Sequence, residues 1–471
     1  MTRHVIIGAG PAGINAMETI RALDAGASID LVCDEPAYAR MVLPYYLEGK
    51  IEQRGVMTGD DAYFKDCGVT AHLGAKVASV DTAGRTVNLD IGTSLPFDRL
   101  LIATGSRAAR PNIDGLDRDG VVCMWTLDDA NRYLAGTRAH TVIVGAGFIA
   151  FTILDALIAK SERVTFIELE AQVLPHMLDA ASAAIMKTHL EDAGVDVRTG
   201  ARLERIDATD SGHRLQLDSG GTIDCDAVVV AAGVQPNVEF LAGSGIEIGG
   251  GRGAGILVDD ELQTGVEGVY AAGDVAEAPD LLTGQRRVHA VQPTAVDHGR
   301  VAGVNMCGES VSYSGSLIMN ILAAQGLEAC SFGDWAGERS GTAASPEGRS
   351  EIQVMENTAN RIYRKYVWDG DVMVGGILVG PSLAVTNVND AGMLKGLIQT
   401  GVSLGPWKAY LDENPLDLRR CYVASGASEQ LLNSTLLSGR ESTGGGFRFP
   451  ATPPRRARSI HHATLFTGKA D

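Results

Sequence analysis

Long apolar runs are missing from this chain of 471 residues. No uninterrupted stretch approaches the roughly 18–20 residues that a bilayer-spanning helix needs. A charged, apolar and small-residue leader is missing too, because "MTRHVIIGAG" runs straight into a strand-and-turn pattern. The chain is therefore expected to be soluble and cytoplasmic, with no membrane span. Positive charge is scarce. With 40 Lys and Arg against 58 Asp and Glu, the formal charge is −18, and such a surface repels nucleic-acid phosphates. Paired cysteines are lacking as well. Cys33, Cys67, Cys123, Cys225, Cys307, Cys330 and Cys421 form no C-x-x-C pair and no metal-ligand spacing. They read as reduced, mostly buried thiols, and no metal site is expected.

Glycine, by contrast, is plentiful. An apolar content of 45% with 57 glycines fits a globular α/β protein of two or three domains. The segment "VIIGAGPAG" (Val5 to Gly13) is a short apolar strand followed by G-x-G-x-x-G at Gly8, Gly10 and Gly13, with Pro11 and Ala12 inside the turn. Gly8 makes the tight turn, Gly10 lets backbone approach a pyrophosphate, and Gly13 lets helix pack on strand. The helix that follows points its N-terminal amides at the phosphates. A second strand, "SIDLVCDEP", ends in Asp34 and Glu35. Either carboxylate can accept hydrogen bonds from an adenosine ribose, since Cys33 stands where many such proteins place the acid.

The pattern returns in "TVIVGAGFIA" (Thr141 to Ala150), with Gly145, Gly147 and Ala150 around Phe148 and Ile149. Alanine is a tolerated variant at the third position. "RVTFIELE" then places Glu168 at the end of the next strand. That acid would repel a 2′-phosphate, which favours NADH over NADPH. One glycine-rich turn is weak evidence; two, each after a strand and before an acid, are strong.

Three more segments complete the set. "FDRLLIATGSRAARP" and "CDAVVVAAGVQPN" are apolar strands ending at Ala103-Thr104-Gly105 and at Ala232-Gly233. Their small residues let the chain pass close to a dinucleotide. "GVYAAGDVAE" leads to Gly273-Asp274, where the aspartate can accept a bond from a ribityl hydroxyl.

With these segments in this order, the chain from Arg3 to Leu327 resembles the pyridine nucleotide–disulfide oxidoreductase superfamily. That resemblance implies an α/β fold of two Rossmann-like dinucleotide-binding domains plus a C-terminal α+β interface domain. It implies FAD on the first and third parts of the chain, NAD(P)H on the middle part, and a flavin contact at Val77. The stretch "YARMVLPYYLEGK" (Tyr38 to Lys50) is similar to one shared by coenzyme A-disulfide reductases, NADH oxidases, ferredoxin and rubredoxin reductases and the flavin portion of nitrite reductases. The disulfide reductases and NADH oxidases place a cysteine two residues before a Leu-Pro-Tyr-Tyr-like run. Here that slot holds Met41, and a thioether forms neither a thiolate nor a mixed disulfide. Arg40 matches an arginine near the flavin and its phosphates.

Tyr45 and Tyr46 either line the isoalloxazine or pack as a core pair. "HAVQPTAVDHGRVAGVNM" (His289 to Met306) resembles the helix whose N-terminus faces the flavin pyrimidine, with Pro293, Thr294 and Ala295 as contacts. His289 and His298 read as surface or packing residues rather than proton donors. Related sequences carry a glutamate beside the nicotinamide; this chain has Thr152 there, a weaker anchor. No catalytic residue is assigned beyond Tyr45 and Thr152 as neighbours of the flavin and nicotinamide.

The expected division is 1–112 for the first part of the FAD domain, 113–248 for the NAD(P)H domain and 249–325 for the second part of the FAD domain. Residues 326–438 form the interface domain, with a hairpin at Asp369-Gly370 and a helix presenting Met393, Leu394, Leu397 and Ile398. Residues 439–471 form a basic tail, an intersubunit arm or disordered, which from Glu441 onward has Arg448, Arg455, Arg456, Arg458 and Lys469 against Glu441 and Asp471. His461-His462 in the tail reads as non-catalytic. The expected function is an FAD-dependent NADH:acceptor oxidoreductase without a cysteine relay, its acceptor a ferredoxin- or rubredoxin-like protein, a quinone or dioxygen. The protein is expected to be a homodimer or a subunit of a larger complex. The alternatives are a flavoprotein subunit of a multi-subunit dehydrogenase and an FAD- and NAD-binding sensor with little turnover.

Overall fold

The computed structural model describes residues 2–251, 253–338, 350–382 and 385–432. The tail 439–471, with His461 and His462, lies outside them. The first glycine turn leaves the centre of a parallel sheet ordered Val269–Ala271, Arg99–Ile102, Arg3–Ile7, Ser28–Cys33, Thr70–Leu73. The strands Arg3–Ile7, Arg99–Ile102 and Val269–Ala271 are buried almost throughout, as a sheet covered on both faces requires, whereas Ser28–Cys33 alternates and Thr70–Leu73 is half-exposed toward the edge. Val5, Ile6, Leu31, Leu100 and Leu101 are fully buried.

A second parallel sheet repeats the plan, in the order Asp196–Arg198, Arg163–Ile167, His140–Val144, Ala227–Val230, Val121–Cys123. Each unit carries a three-stranded antiparallel sheet just before its exit strand: Val77–Asp81, Thr86–Leu89 and Ser94–Pro96 in the first, and Leu203–Thr209, Gly212–Leu217 and Thr222–Cys225 in the second. The edge strand Val269–Ala271 returns to the first sheet only after the whole second unit. The two exits are joined where Ser106–Ala108 pairs antiparallel with Val234–Pro236.

The remaining sheet is antiparallel, in the order Met319–Ala324, Leu327–Gly333, Val372–Pro381, Ile362–Asp369, Glu351–Asn357. Asp369 pairs with Val372 across the Gly370 turn, and Gly370 has φ 60°. The helix Val385–Thr400 lays Leu394, Leu397 and Ile398 into a core with Trp368, Phe332 and Leu378. The strand Met319–Ala324 belongs to this sheet, which therefore begins before the expected boundary at 325/326. The strand pairs with Leu327–Gly333 across a tight turn at Gln325-Gly326, where both residues have positive φ.

The units interlock. The helix Leu43–Glu48 packs against the helix Phe148–Lys160, and Leu47 shares a core with Phe151 and Leu154. From the antiparallel sheet, the Gln325 backbone and side-chain amides both donate to Asp155 Oδ1, at 2.9 and 2.8 Å. Among the described residues no helix is long and apolar enough to cross a membrane.

Candidate functional site

The two glycine turns are near copies. Gly8 N–H donates to Val32 O at 2.7 Å, and Gly145 N–H to Ile167 O at 2.8 Å. Gly8 has φ 113° and Gly145 has φ 98°, a region that favours glycine. A Cβ on Gly8 would strike the Ala103 carbonyl oxygen, and one on Gly145 the Ala231 carbonyl oxygen. Each turn is thus pressed against the small-residue exit of its own unit, at Ala103-Thr104-Gly105 and Ala231-Ala232-Gly233. Gly10 and Gly147 differ from these, since a Cβ on either meets nothing within 4 Å. Their open faces leave room for a ligand's phosphates to reach the backbone.

The helices Pro11–Leu23 and Phe148–Lys160 start at Gly10 and Gly147 with no side-chain cap and no acid in the first turn. Those beginning at Asp61, Leu127, Ala180 and Leu418 are capped by Asp60, Thr126, Asp179 and Asp417. Uncapped first-turn amides are suited to an anion.

The acids behind the turns are where the copies part. Glu168 is buried and accepts from Ala146 N–H at 2.5 Å and Glu170 N–H at 2.8 Å. The ladder bonds make Cys33 the counterpart of Glu168, and its thiol lies on the matching amides of Ala9 and Glu35. Asp34 is exposed. Glu35 is held by Arg40 Nη2 at 2.5 Å and by the Tyr38 hydroxyl at 3.2 Å. Burial raises the Glu35 pKa, and the Arg40 charge opposes that shift. Arg40 also faces the Trp125 ring at 4.9 Å. Ser106 Oγ donates to Asp274 Oδ2 at 3.0 Å, and burial holds the Asp274 carboxyl above its ordinary range.

The third segment closes on the first helix. A Cβ on Gly273 would lie 3.3 Å from Ala12 Cβ and 3.4 Å from Ala295 Cβ. A Cβ on Gly299 would enter the Ala12 carbonyl, so the helix Gln292–Met306 lies directly against Pro11–Leu23. Pro293, Thr294 and Ala295 form its first turn, again without a side-chain cap. His298 and His289 are buried, not at the surface. Gly273 N–H donates to His298 Nδ1 at 3.2 Å, and burial drives the His298 pKa down to about 3. Val77 is buried at the start of its small sheet, within the first core.

Tyr45 and Met41 are exposed, at 40% and 59%, whereas the Tyr46 hydroxyl donates to Asn131 Oδ1 at 2.6 Å. Phe148 is exposed and Ile149 half-buried, while Ala150 is fully buried. The Thr152 hydroxyl donates to Ile149 O at 2.7 Å inside its own helix, so its proton is already engaged and does not point to a ligand. Each of the seven thiols is unpaired, and burial raises its pKa, to about 12 for Cys225 and Cys330.

Trp125 lies outside every glycine motif of the sequence, whereas Ser106 and Asn237 stand in the two exit segments without a role that the sequence assigns. Thr104 and Asn237 bond reciprocally, Oγ1 to O and Nδ2 to O, both at 2.9 Å, which locks the two exits together. Tyr38 opens the segment Tyr38 to Lys50, where the sequence assigns it no role.

A family model described as pyridine nucleotide-disulphide oxidoreductase matches residues 2–299. The chain is 31% identical over 429 residues to the NADH-dependent phenylglyoxylate dehydrogenase subunit epsilon of Aromatoleum evansii, covering 89% of this chain and 96% of that protein. It is 28% identical over 314 residues to the rubredoxin-NAD(+) reductase of Pseudomonas putida, covering 65% of this chain and 80% of that one. A solved NAD-dependent persulfide reductase from A. fulgidus superposes with a TM-score of 0.75 at 29% identity, over 86% of this chain and 78% of that one. The chain belongs to the pyridine nucleotide-disulphide oxidoreductase family and is an NAD(P)H-dependent flavin oxidoreductase.

Proposed function

We propose that the Gly8 crevice holds FAD, that the Gly145 crevice holds NADH, and that electrons leave the flavin for a separate acceptor with no cysteine relay. Bound flavin supplies the chemistry of taking a hydride from the nicotinamide and giving up its electrons one or two at a time. The chain's residues supply the holding. The first-turn amides at Gly10 and Gly147 take the pyrophosphates. The joint N-termini of the helices from Pro11 and Gln292 favour negative charge between them. Glu168 receives the unphosphorylated ribose of NADH, and Arg40, Asp274 and the Pro293–Ala295 turn border the flavin. Residues 1–112 and 249–318 would form the flavin domain and 113–248 the nicotinamide domain, with the antiparallel sheet from Met319 onward covering them.

One observation carries the missing relay. Met41 stands in the slot where a redox cysteine would lie, and every thiol in the chain has its pKa raised by burial. Thiolate is the reactive form. Turnover of NADH with a small iron–sulfur or rubredoxin-type protein, measured before and after alkylation by iodoacetamide, tests this. Unchanged turnover is expected; loss of turnover on alkylation, with flavin still bound, would overturn it.

A second reading draws on the near end-to-end similarity to a dehydrogenase subunit: the protein works as the flavoprotein of a larger complex in the cytoplasm. Exposed Ile321, Ile352 and Val354 on the antiparallel sheet suit either a second copy or another chain. Size-exclusion with light scattering separates the two, since a homodimer favours the first reading and a mixed assembly the second.

A further inference from the structure

The mechanism leaves one aromatic side chain without a role. Trp125 follows the edge strand Val121–Cys123 of the second sheet, yet its ring lies in the first crevice. The Arg40 guanidinium stands 4.9 Å from the ring centroid, and the indole N–H donates to Ser106 O at 2.7 Å. From the same residue, Ser106 Oγ donates to Asp274 Oδ2 at 3.0 Å. On its far side Arg40 meets Glu35 at 2.5 Å and the Tyr38 hydroxyl at 3.0 Å. One indole thus touches both halves of a chain that runs Glu35, Arg40, Ser106, Asp274. An arginine is a long side chain with many rotamers, and a site pays for ordering it unless something holds it beforehand. The aromatic face supplies that hold, and the N–H fixes the ring.

We propose that Trp125 is a positioning residue for the flavin: a side chain of the nicotinamide unit that pre-orders Arg40 and, through Ser106, Asp274 in the flavin crevice. This rests on the reading that the Gly8 crevice holds FAD. The indole ties the flavin site to the unit that carries NADH, so displacing that unit loosens Arg40.

The test uses full-length protein freed of flavin and titrated with FAD, as wild type, Trp125→Phe, Trp125→Ala, Arg40→Ala and the double variant Arg40→Ala/Trp125→Ala. Trp125→Ala is expected to weaken FAD binding about tenfold, and Trp125→Phe, which keeps a ring but loses the N–H, about threefold. The double variant is expected to lose clearly less than the sum of the two single losses, because the indole acts partly through the guanidinium and keeps only its Ser106 branch once Arg40 is gone. Affinity for NADH in the flavin-free protein should stay as in wild type, which a general packing defect would not allow. Where Trp125→Ala does not fold, the Phe variant carries the comparison. Wild-type FAD affinity in both Trp125 variants, or losses that add in the double variant, overturns the proposal. A wild-type protein that takes up no FAD at all instead sinks the assignment of the crevice.

Discussion

The two glycine turns of this chain share a backbone and differ in what surrounds it. Both have a left-handed first glycine pressed onto a carbonyl of the exit strand, an open second glycine and an uncapped helix. At the third position they part. A Cβ on Gly13 would strike the Gly8 carbonyl, whereas Ala150 sits fully buried at the matching place. Behind the turn they part again, because the two amides that grip the Glu168 carboxylate have counterparts that meet only the Cys33 thiol. The first crevice is also bounded by a second helix N-terminus and a buried imidazole. Under the proposed assignment, the common geometry is what lets both turns take a dinucleotide, and the side chains around them set which one and how tightly.

The sharpest way to break this symmetry is at the third position. Gly13→Ala is expected to empty the first crevice of flavin and to cost about 1–3 kcal/mol through overpacking. Ala150→Gly should cost only about 0.5–1 kcal/mol and leave NADH binding near wild type. Flavin content after purification and urea unfolding check both. Equal effects at the two positions would contradict the difference in packing.

The buried imidazole gives the next effect. His298 titrates at 6.5 when unfolded and at about 3 in the folded chain, so between those values the unfolded state binds a proton that the folded state refuses. Stability is therefore fully present above 6.5 and is lost as pH falls toward 3. The slope is at most about 1.4 kcal/mol per pH unit. His298→Phe should flatten the dependence of urea midpoints on pH between 4.5 and 6.5, and identical slopes in variant and wild type would refute it.

Glu168→Gln keeps the shape behind the second turn and removes its charge. NADH binding should weaken about tenfold and the preference over NADPH should shrink, as read by titration with each nucleotide. Cys33→Glu makes the first turn resemble the second. With the Ala9 and Glu35 amides already placed for a carboxylate, flavin retention should rise about threefold. A fall in retention would show that the thiol is preferred there.

Much of this was legible in the sequence, for a physical reason. Glycine positions with a positive φ or a close carbonyl admit no other residue cheaply, so Gly8, Gly13, Gly145 and Gly273 announce the turns themselves. Apolar strands buried on both faces likewise mark the two parallel sheets. What stayed hidden depends on partners distant in the chain. Trp125 meets Arg40 and Ser106 only because the inserted unit folds back on the first, and no local pattern encodes that approach. Thr152 stands where the resemblance places a nicotinamide neighbour, and its hydroxyl donates to a carbonyl three residues back, a local bond that the sequence did not reveal. For His289 and His298 the sequence leaves surface and packing open, since a polar ring gives no clue to its burial, and the structure shows packing. The boundary at 325/326 falls on the tight turn Gln325-Gly326 inside the hairpin of Met319–Ala324 with Leu327–Gly333, so it divides two strands of one sheet.

The central claim is that both crevices are filled at once, with the nicotinamide able to reduce the flavin directly. An anaerobic titration of the flavin-loaded protein with NADH, followed by the flavin's visible absorption band, tests it most directly. Bleaching that completes at one NADH per flavin is the result this account predicts. A band that stays unchanged with NADH in excess, in protein that demonstrably holds flavin, would contradict it.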